Sequence, residues 1–141
     1  MKRVSSGIPG LDELIGKGFP KQTVSLLSGG PGSGKTTFAL QMLINGADKY
    51  DEPGIYATLT ETPESIRLDA ESFGWNLEDL EKKGKLALLD LRPSRFLGLK
   101  SHQTSETFFS WVWNSIRNEA KEIKAKRIAI DPINVVAAQF Q

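Results

Sequence analysis

The sequence predicts an α/β fold in which helices cover a mostly parallel β-sheet. Short apolar runs bounded by turn residues alternate along the chain with longer segments of helical periodicity. A glycine-rich loop stands between the first apolar run and the first helical segment. Strands that alternate with helices in this way run parallel, because each helix carries the chain back across the sheet.

Four strands are predicted, with the bounds 23–28, 54–60, 86–91 and 127–133. Four helices are predicted, with the bounds 35–50, 63–73, 76–83 and 104–126. The segment 92–103 is predicted to be an irregular loop. The second helix has a clear start, since Thr62 offers a capping hydroxyl and Pro63 suits the first helical position, and Gly74 follows its end.

Composition restricts the class of protein and its partners. The chain has 141 residues, 39% hydrophobic and 25% charged, which is typical of a globular domain with a buried core. Its 18 basic and 17 acidic residues nearly cancel, which gives no overall attraction to nucleic acid or membranes. With no cysteine and one histidine, thiolate and multi-histidine metal sites are excluded. The sequence shows neither a secretory signal nor a membrane span, so a cytoplasmic location is expected.

The glycine-rich loop matches G-x-x-x-x-G-K-[ST] at every fixed position. Its members are Gly29, Gly30, Pro31, Gly32, Ser33, Gly34, Lys35 and Thr36. Glycines let consecutive backbone N–H groups approach a triphosphate, and the helix that follows directs its positive end toward the phosphates. We expect Lys35 to contact the β- and γ-phosphates, Thr36 to ligate Mg²⁺ and Thr37 to contact the α-phosphate. The loop therefore predicts binding of ATP with Mg²⁺.

Two acidic residues are candidates for the second protein group at the metal. Asp131 ends the last apolar run, where such sites place a carboxylate that holds Mg²⁺ through its water shell. Asp90 ends the third apolar run and is the alternative. We favour Asp131, although an aspartate before Pro132 is also common at the start of a turn. Glu61, just past the second strand, is the candidate base, and its nearness to a helix start would explain an acid there almost as well.

Five stretches, distributed over nearly the whole chain, point to one family. They are GIPGLDELIGKGFP (7–20), GGPGSGKTT (29–37), GIYATLTETPESI (54–66), SFGWNLEDLEKKGKLALLD (72–90) and RIAID (127–131). Together they resemble the RecA-like ATPases of the KaiC family, especially its archaeal single-domain members. The resemblance implies one ATP-binding domain over 1–141, with Lys35 acting in ATP hydrolysis and Thr36 and Asp131 at the metal. It also implies homo-oligomers, commonly hexameric rings with ATP between subunits.

The sequence departs from the family pattern after the second strand. The family usually has two adjacent glutamates there, and the first is generally considered the base, whereas this chain has Thr60 and Glu61. A threonine hydroxyl does not accept a proton at neutral pH. Either Glu61 takes over as the base, or the site binds ATP and turns it over very slowly.

Two further departures lie at the end of the sequence. Pro132 stands where the family often has serine, and it removes a backbone donor. RecA-type domains normally continue past the fourth strand with more strands, a polar sensor residue and basic residues that reach a neighbour's ATP. We therefore expect a partial domain without the C-terminal part of the usual fold. Its open sheet edge should pair with another chain, or its strand order should be rearranged.

Two functions from other classes stay open. One is a scaffold that binds nucleotide without hydrolysing it and whose assembly ATP controls, which Thr60 favours. The other is a phosphotransferase that phosphorylates itself, since kinases also use this loop. Glu61 together with Asp131 favours an ATPase. A motor dependent on nucleic acid ranks last because the charges balance, and the sequence does not identify a protein partner.

The last helix has an apolar stripe that is predicted to be core. Its members are Phe109, Val112, Trp113, Ile116, Ala120 and Ile123. Trp111 lies roughly 200° around the helix from Phe109, with Phe108 on the flank. Either Trp111 marks a subunit interface, or the segment 92–103 folds over it.

Overall fold

A computed structural model describes residues 2–27, 34–97 and 105–131 of the chain. The N-terminal part contains strands β1 (Arg3–Val4) and β2 (Phe19–Pro20), which pair antiparallel, and the short helix α1 (Leu11–Leu14) between them. The remaining elements, in chain order, are α2 (Lys35–Lys49), β3 (Gly54–Thr58), α3 (Pro63–Glu71), α4 (Leu77–Lys82), β4 (Leu86–Asp90), α5 (Pro93–Leu97), α6 (Ser105–Ile123) and β5 (Arg127–Asp131).

Strands β4, β3 and β5 form a parallel sheet in that order. Within it Thr58, the last residue of β3, lies opposite both Asp90 and Asp131. The strands alternate with helices along the chain, so the predicted α/β class is confirmed. Parallel strands place their carboxyl ends at one edge, and this edge collects the polar residues that the sequence analysis identified.

Helices cover both faces of the sheet, and all five residues of β3 are buried. One face packs against α2, α3 and α4 through a cluster of Leu40, Leu43, Ile44, Ala47, Tyr56, Ile66, Ala70, Leu77, Leu80 and Leu86. The other face packs against α5 and α6 through Ile55, Ala57, Leu59, Ala87, Leu91, Phe96, Phe108, Val112 and Ile116. Successive residues of β3 therefore belong to opposite layers, as the pleat of a strand requires.

The predicted helix starts are confirmed by their caps. The Thr62 hydroxyl accepts a hydrogen bond from the backbone N–H of Ser65 at 3.1 Å, and Pro63 takes the first helical position. Asn76 caps α4 in the same way, and Gly74 follows α3 with a φ of 80°. In the part of the chain that the structure describes, no helix is both long and apolar enough to cross a lipid bilayer.

The first predicted strand is wrong over the residues that the structure describes. Residues 23–27 form no ladder, and Val24 and Leu26 are 100% and 83% exposed. A strand exists only where a neighbour takes up its backbone hydrogen bonds. Within the described residues β5 pairs with β3 alone and its Ile128 is 48% exposed, so the sheet there ends at β5. An apolar run without a partner strand was therefore mistaken for an element.

The buried face of α6 differs from the predicted stripe. Val112 and Ile116 are buried as predicted, but Phe108 is buried too, whereas Phe109 and Trp113 are 41% and 51% exposed. Residues 108–113 are almost all apolar, so their periodicity does not determine which side faces the sheet. The helix is rotated toward Phe108, and two aromatic rings predicted as core lie at the surface.

Trp111 is covered by the segment that precedes α6. Its ring centroid lies 5.4 Å from that of Phe96 and 5.8 Å from that of Phe108. Phe96 belongs to α5, a short helix that begins at Pro93 within the segment predicted as an irregular loop. Of the two interpretations of Trp111, the structure supports the covering segment.

Arg127 connects β5 to α2 and to the N-terminal segment. The residue is 4% exposed. Its guanidinium donates to the carbonyl oxygens of Met42 at 2.9 Å and Ser5 at 2.5 Å. It also donates to Oε1 of Glu52 at 3.1 Å. A Cβ at Gly46 would lie 2.6 Å from the Arg127 side chain, so the glycine makes room for the guanidinium beside α2.

Candidate functional site

The candidate site lies where the first turn of α2 meets the carboxyl ends of β3 and β5. The helix begins at Lys35, directly after Gly34, whose φ of 88° is in the left-handed region. A Cβ at Gly34 would meet nothing within 4 Å, so glycine is needed there for its backbone conformation rather than for space. The backbone N–H groups of a first helical turn have no partner within the helix and form a natural binding place for anions.

Two of the predicted site residues meet at this edge. Thr36 Oγ1 donates a hydrogen bond to Oδ2 of Asp131 at 3.0 Å, although 95 positions separate them in the sequence. Both residues are half-buried. Asp131 ends β5, and the alternation of that strand directs it to the sheet face that α2 covers.

Tyr56 is a third member of this group, and the sequence analysis missed it. It lies in the middle of β3, is fully buried, and donates from its hydroxyl to the same Oδ2 of Asp131 at 2.5 Å. Burial, and then the hydrogen bond to Asp131, raise the pKa of Tyr56 far above its usual value, so the phenol remains protonated. The sequence carries no local signal for this contact, because only the pairing of β3 with β5 brings Tyr56 and Asp131 to the same sheet face.

Asp90, the alternative to Asp131, is occupied by arginines. Nε and Nη2 of Arg92 donate to its two carboxylate oxygens at 2.8 and 2.7 Å, and Arg95 Nη1 lies 3.6 Å away. The hydrogen bonds from Arg92 lower the pKa of Asp90. Because these guanidinium groups balance its charge, Asp90 is a poor partner for a metal ion. Of the two carboxylates, Asp131 is the one that contacts Thr36.

The turn after β3 carries Thr60 and Glu61, and both are exposed. The buried hydroxyl of Thr58 donates to the carbonyl of Glu61 at 2.9 Å and accepts from its N–H at 3.0 Å. It also accepts from the N–H of Thr60 at 3.4 Å. Thr58 thus fixes the backbone from which Glu61 projects at the carboxyl edge of the sheet.

Of the other residues predicted for the site, the structure describes some and leaves out the rest. Lys35 and Thr37 are half-buried in the first turn of α2, next to Thr36. Gly29, Gly30, Pro31, Gly32 and Ser33 lie outside the described residues, as does Pro132. Their functions stay predictions.

The donor groups at this edge fit Mg²⁺. Among residues 2–27, 34–97 and 105–131, no three histidine, aspartate or glutamate side chains group together as a metal cage. Mg²⁺ does not need one, because it keeps several waters and is usually bound by one or two protein oxygens plus substrate phosphates. The Thr36 hydroxyl and the Asp131 carboxylate, 3.0 Å apart beside a helix N terminus, are such a pair.

Comparisons with known proteins agree on one family. The family model described as ATPase, KaiC matches residues 4–141. A UPF0273 protein of Thermotoga maritima is 37% identical over 96% of this chain, which spans 57% of that protein. The circadian clock oscillator protein KaiC of Parathermosynechococcus lividus is 38% identical, and the aligned region is 24% of its length.

A solved structure shares the fold. The KaiC-like protein PH0186 from Pyrococcus horikoshii OT3 superposes with a TM-score of 0.81 at 41% identity, covering 99% of this chain and 57% of that one. The chain thus spans about half the length of the UPF0273 relatives it matches. With a family model that matches almost every residue and a structural neighbour of the same type, the chain belongs to the KaiC family of ATPases and has its RecA-type α/β fold.

Proposed function

We propose that this protein binds ATP together with Mg²⁺ and hydrolyses it slowly. The observation that carries the proposal is the hydrogen bond between Thr36 and Asp131 at the start of α2. It places a hydroxyl and a carboxylate beside the helix N terminus that the glycine-rich loop leads into. This is the combination that phosphate-binding loops use to hold a magnesium-bound nucleotide.

Each residue has a stated part in this proposal. The loop from Gly29 to Gly34 and the first turn of α2 hold the phosphates through backbone N–H groups, and Lys35 adds a cation at the β- and γ-phosphates. Thr37 contacts the α-phosphate. Thr36 and Asp131 hold Mg²⁺, which neutralises charge on the phosphates. Glu61 orients or deprotonates the attacking water from the turn after β3.

Two competing functions predict different products. A nucleotide-dependent scaffold binds ATP and releases no phosphate, and the exposed Thr60 in place of a carboxylate favours it. A phosphotransferase would transfer the terminal phosphate to the protein itself. Measuring released phosphate and protein-bound phosphate in the same reaction separates all three.

We also propose that the protein acts as a homo-oligomer in the cytoplasm. Two described features support self-association: β5 pairs with a strand on one side only, and residues 23–27 expose apolar side chains. Unpaired strand edges and exposed apolar segments are common sites of contact between chains.

The test of ATP binding is Lys35→Ala. We expect ATP affinity, measured by calorimetry in the presence of Mg²⁺, to fall roughly 100-fold or more, because a charged contact to phosphate contributes about 3 kcal/mol. Lys49→Ala, in the exposed last turn of the same helix, is the matched control and should bind ATP normally. Equal affinity in the two variants would overturn the proposal.

A further inference from the structure

We propose that Tyr56 is a positioning residue for the magnesium site, where its phenol holds the Asp131 carboxylate in the orientation that meets the cation. The inference rests on the proposed function, since it requires that Asp131 serves Mg²⁺. The geometry that suggests it is the bond from the Tyr56 hydroxyl to Oδ2 of Asp131 at 2.5 Å.

The polar neighbours of the Tyr56 hydroxyl both belong to the candidate site: Asp131, which accepts from it, and the Thr36 hydroxyl beside it. The residue is fully buried and belongs to an otherwise apolar cluster between the sheet and α2. A phenylalanine would fill the same volume and leave no polar group to satisfy, whereas a buried hydroxyl is costly without a partner. In the part of the chain that the structure describes, the carboxylate of Asp131 is the acceptor that satisfies it.

The bonds to Asp131 come from two different elements. Thr36 reaches Oδ2 from α2, and Tyr56 reaches the same oxygen from β3. Both of these hydrogen bonds end on Oδ2, and neither donor uses Oδ1. Thr36 is itself the expected metal ligand, whereas the phenol is the tip of a ring packed in the core. Tyr56 is therefore the donor that keeps the carboxylate in place when Thr36 engages the cation.

A neutral donor suits this task better than a charged one. Asp90, at the same level on the other side of β3, is held by Arg92 and Arg95, which balance its charge. No lysine or arginine among the described residues forms an ion pair with Asp131. The phenol can orient this carboxylate and leave its negative charge available to attract Mg²⁺.

The test is Tyr56→Phe, measured as ATP affinity over a range of Mg²⁺ concentrations and again in EDTA. We expect the half-saturating Mg²⁺ concentration to rise about tenfold, as for groups that orient metal ligands, while affinity for metal-free ATP stays unchanged. Tyr50→Phe is the matched control, since Tyr50 is 42% exposed and its hydroxyl contacts Ser5 rather than the site. It should leave both affinities unchanged.

A double-mutant cycle with Asp131→Asn shows whether Tyr56 acts through the carboxylate. We expect Tyr56→Phe to have no further effect on the Mg²⁺ requirement once Asp131 is replaced. If Tyr56→Phe leaves the Mg²⁺ requirement of the natural protein unchanged, or weakens binding equally in EDTA, the inference is wrong although the proposed function stands. If the natural protein itself binds ATP independently of Mg²⁺, the magnesium part of the proposed function fails and the inference with it.

Discussion

At the scale of single residues, the turn after β3 determines how a water molecule could be activated. Thr58 fixes this turn through three hydrogen bonds of its buried hydroxyl, so the positions of Thr60 and Glu61 are set by the strand that precedes them. Thr60 offers a hydroxyl that cannot take a proton at neutral pH, and Glu61 offers a carboxylate one position later.

Thr60→Glu should therefore increase ATP turnover. A well-placed general base contributes roughly 10²- to 10⁴-fold to a rate, and a glutamate at a position near the ideal one should give at least about tenfold in kcat. The measurement is steady-state phosphate release at saturating ATP and Mg²⁺. The matched control is Thr60→Gln, which has nearly the same size and shape and cannot act as a base, so it should leave turnover low.

Glu61→Gln in the natural background gives the complementary result. If Glu61 already serves as the base, this change lowers kcat and leaves ATP affinity unchanged, because an exposed base acts in the chemical step rather than in holding the nucleotide. An unaltered kcat would remove Glu61 from the proposed mechanism. For the Thr60 variants, an increase in turnover with Thr60→Gln equal to that with Thr60→Glu would show that the size of the side chain, rather than its basicity, matters at this position.

The sequence located two of the three residues that meet at this site. Thr36 follows from the spacing of the glycine-rich loop, and Asp131 follows from its place at the end of an apolar run. Tyr56 could not be found in the same way, because a tyrosine in a buried strand is usually core. The partner of its hydroxyl lies 75 positions away and comes into contact only through the pairing of β3 with β5.

At the scale of elements, Arg127 determines how α2 sits on the sheet. Its guanidinium bonds to the carbonyl of Met42 within α2, to Ser5 in the N-terminal segment, and to Glu52 before β3. It lies four residues before Asp131, on the same strand and the same face. The contact therefore holds the middle of α2 against the strand that ends in Asp131.

Arg127→Met should destabilise the fold, because it removes these bonds and leaves buried acceptors without a donor. We expect a loss of about 3 kcal/mol in the free energy of unfolding, measured by urea denaturation. Hydrogen exchange should also quicken in residues 2–20, since the Ser5 contact holds that segment. Arg117→Met, the same change at an exposed position of α6, should alter stability by no more than about 0.5 kcal/mol. Equal effects of the two changes would contradict this account.

Which elements could be predicted depended on whether their signals are local. The start of α3 was predictable because Thr62 and Pro63 act on their own backbone. Residues 23–27 have an apolar strand pattern, but a strand also needs a neighbour, and the sequence does not say whether one is present. The prediction of which face of α6 is buried was wrong for a related reason, because the ring of Phe96 that covers Trp111 comes from another element.

At the scale of the whole molecule, exposed apolar residues of α6 and β5 indicate where chains could meet. Phe109 and Trp113 lie one helical turn apart on α6, and both are about half exposed. Ile128 of β5 is also 48% exposed and, by strand alternation, lies on the sheet face that α6 covers. Because Phe96 covers Trp111, the exposed Phe109 and Trp113 are better candidates than Trp111 for a contact between chains.

If this surface mediates the proposed self-association, Phe109→Ser combined with Trp113→Ser should weaken it. Replacing two aromatic side chains removes apolar area that the interface would bury, which weakens the free energy of association by about 2 kcal/mol or more. The dissociation constant should then rise more than tenfold. Sedimentation velocity over a range of protein concentrations measures the change. Leu68→Ser is the matched control, because Leu68 is 66% exposed on α3, on the opposite side of the sheet. If the natural protein sediments as a monomer throughout, the oligomer proposal is wrong. If the double variant associates as the natural protein does, the contact lies on another surface.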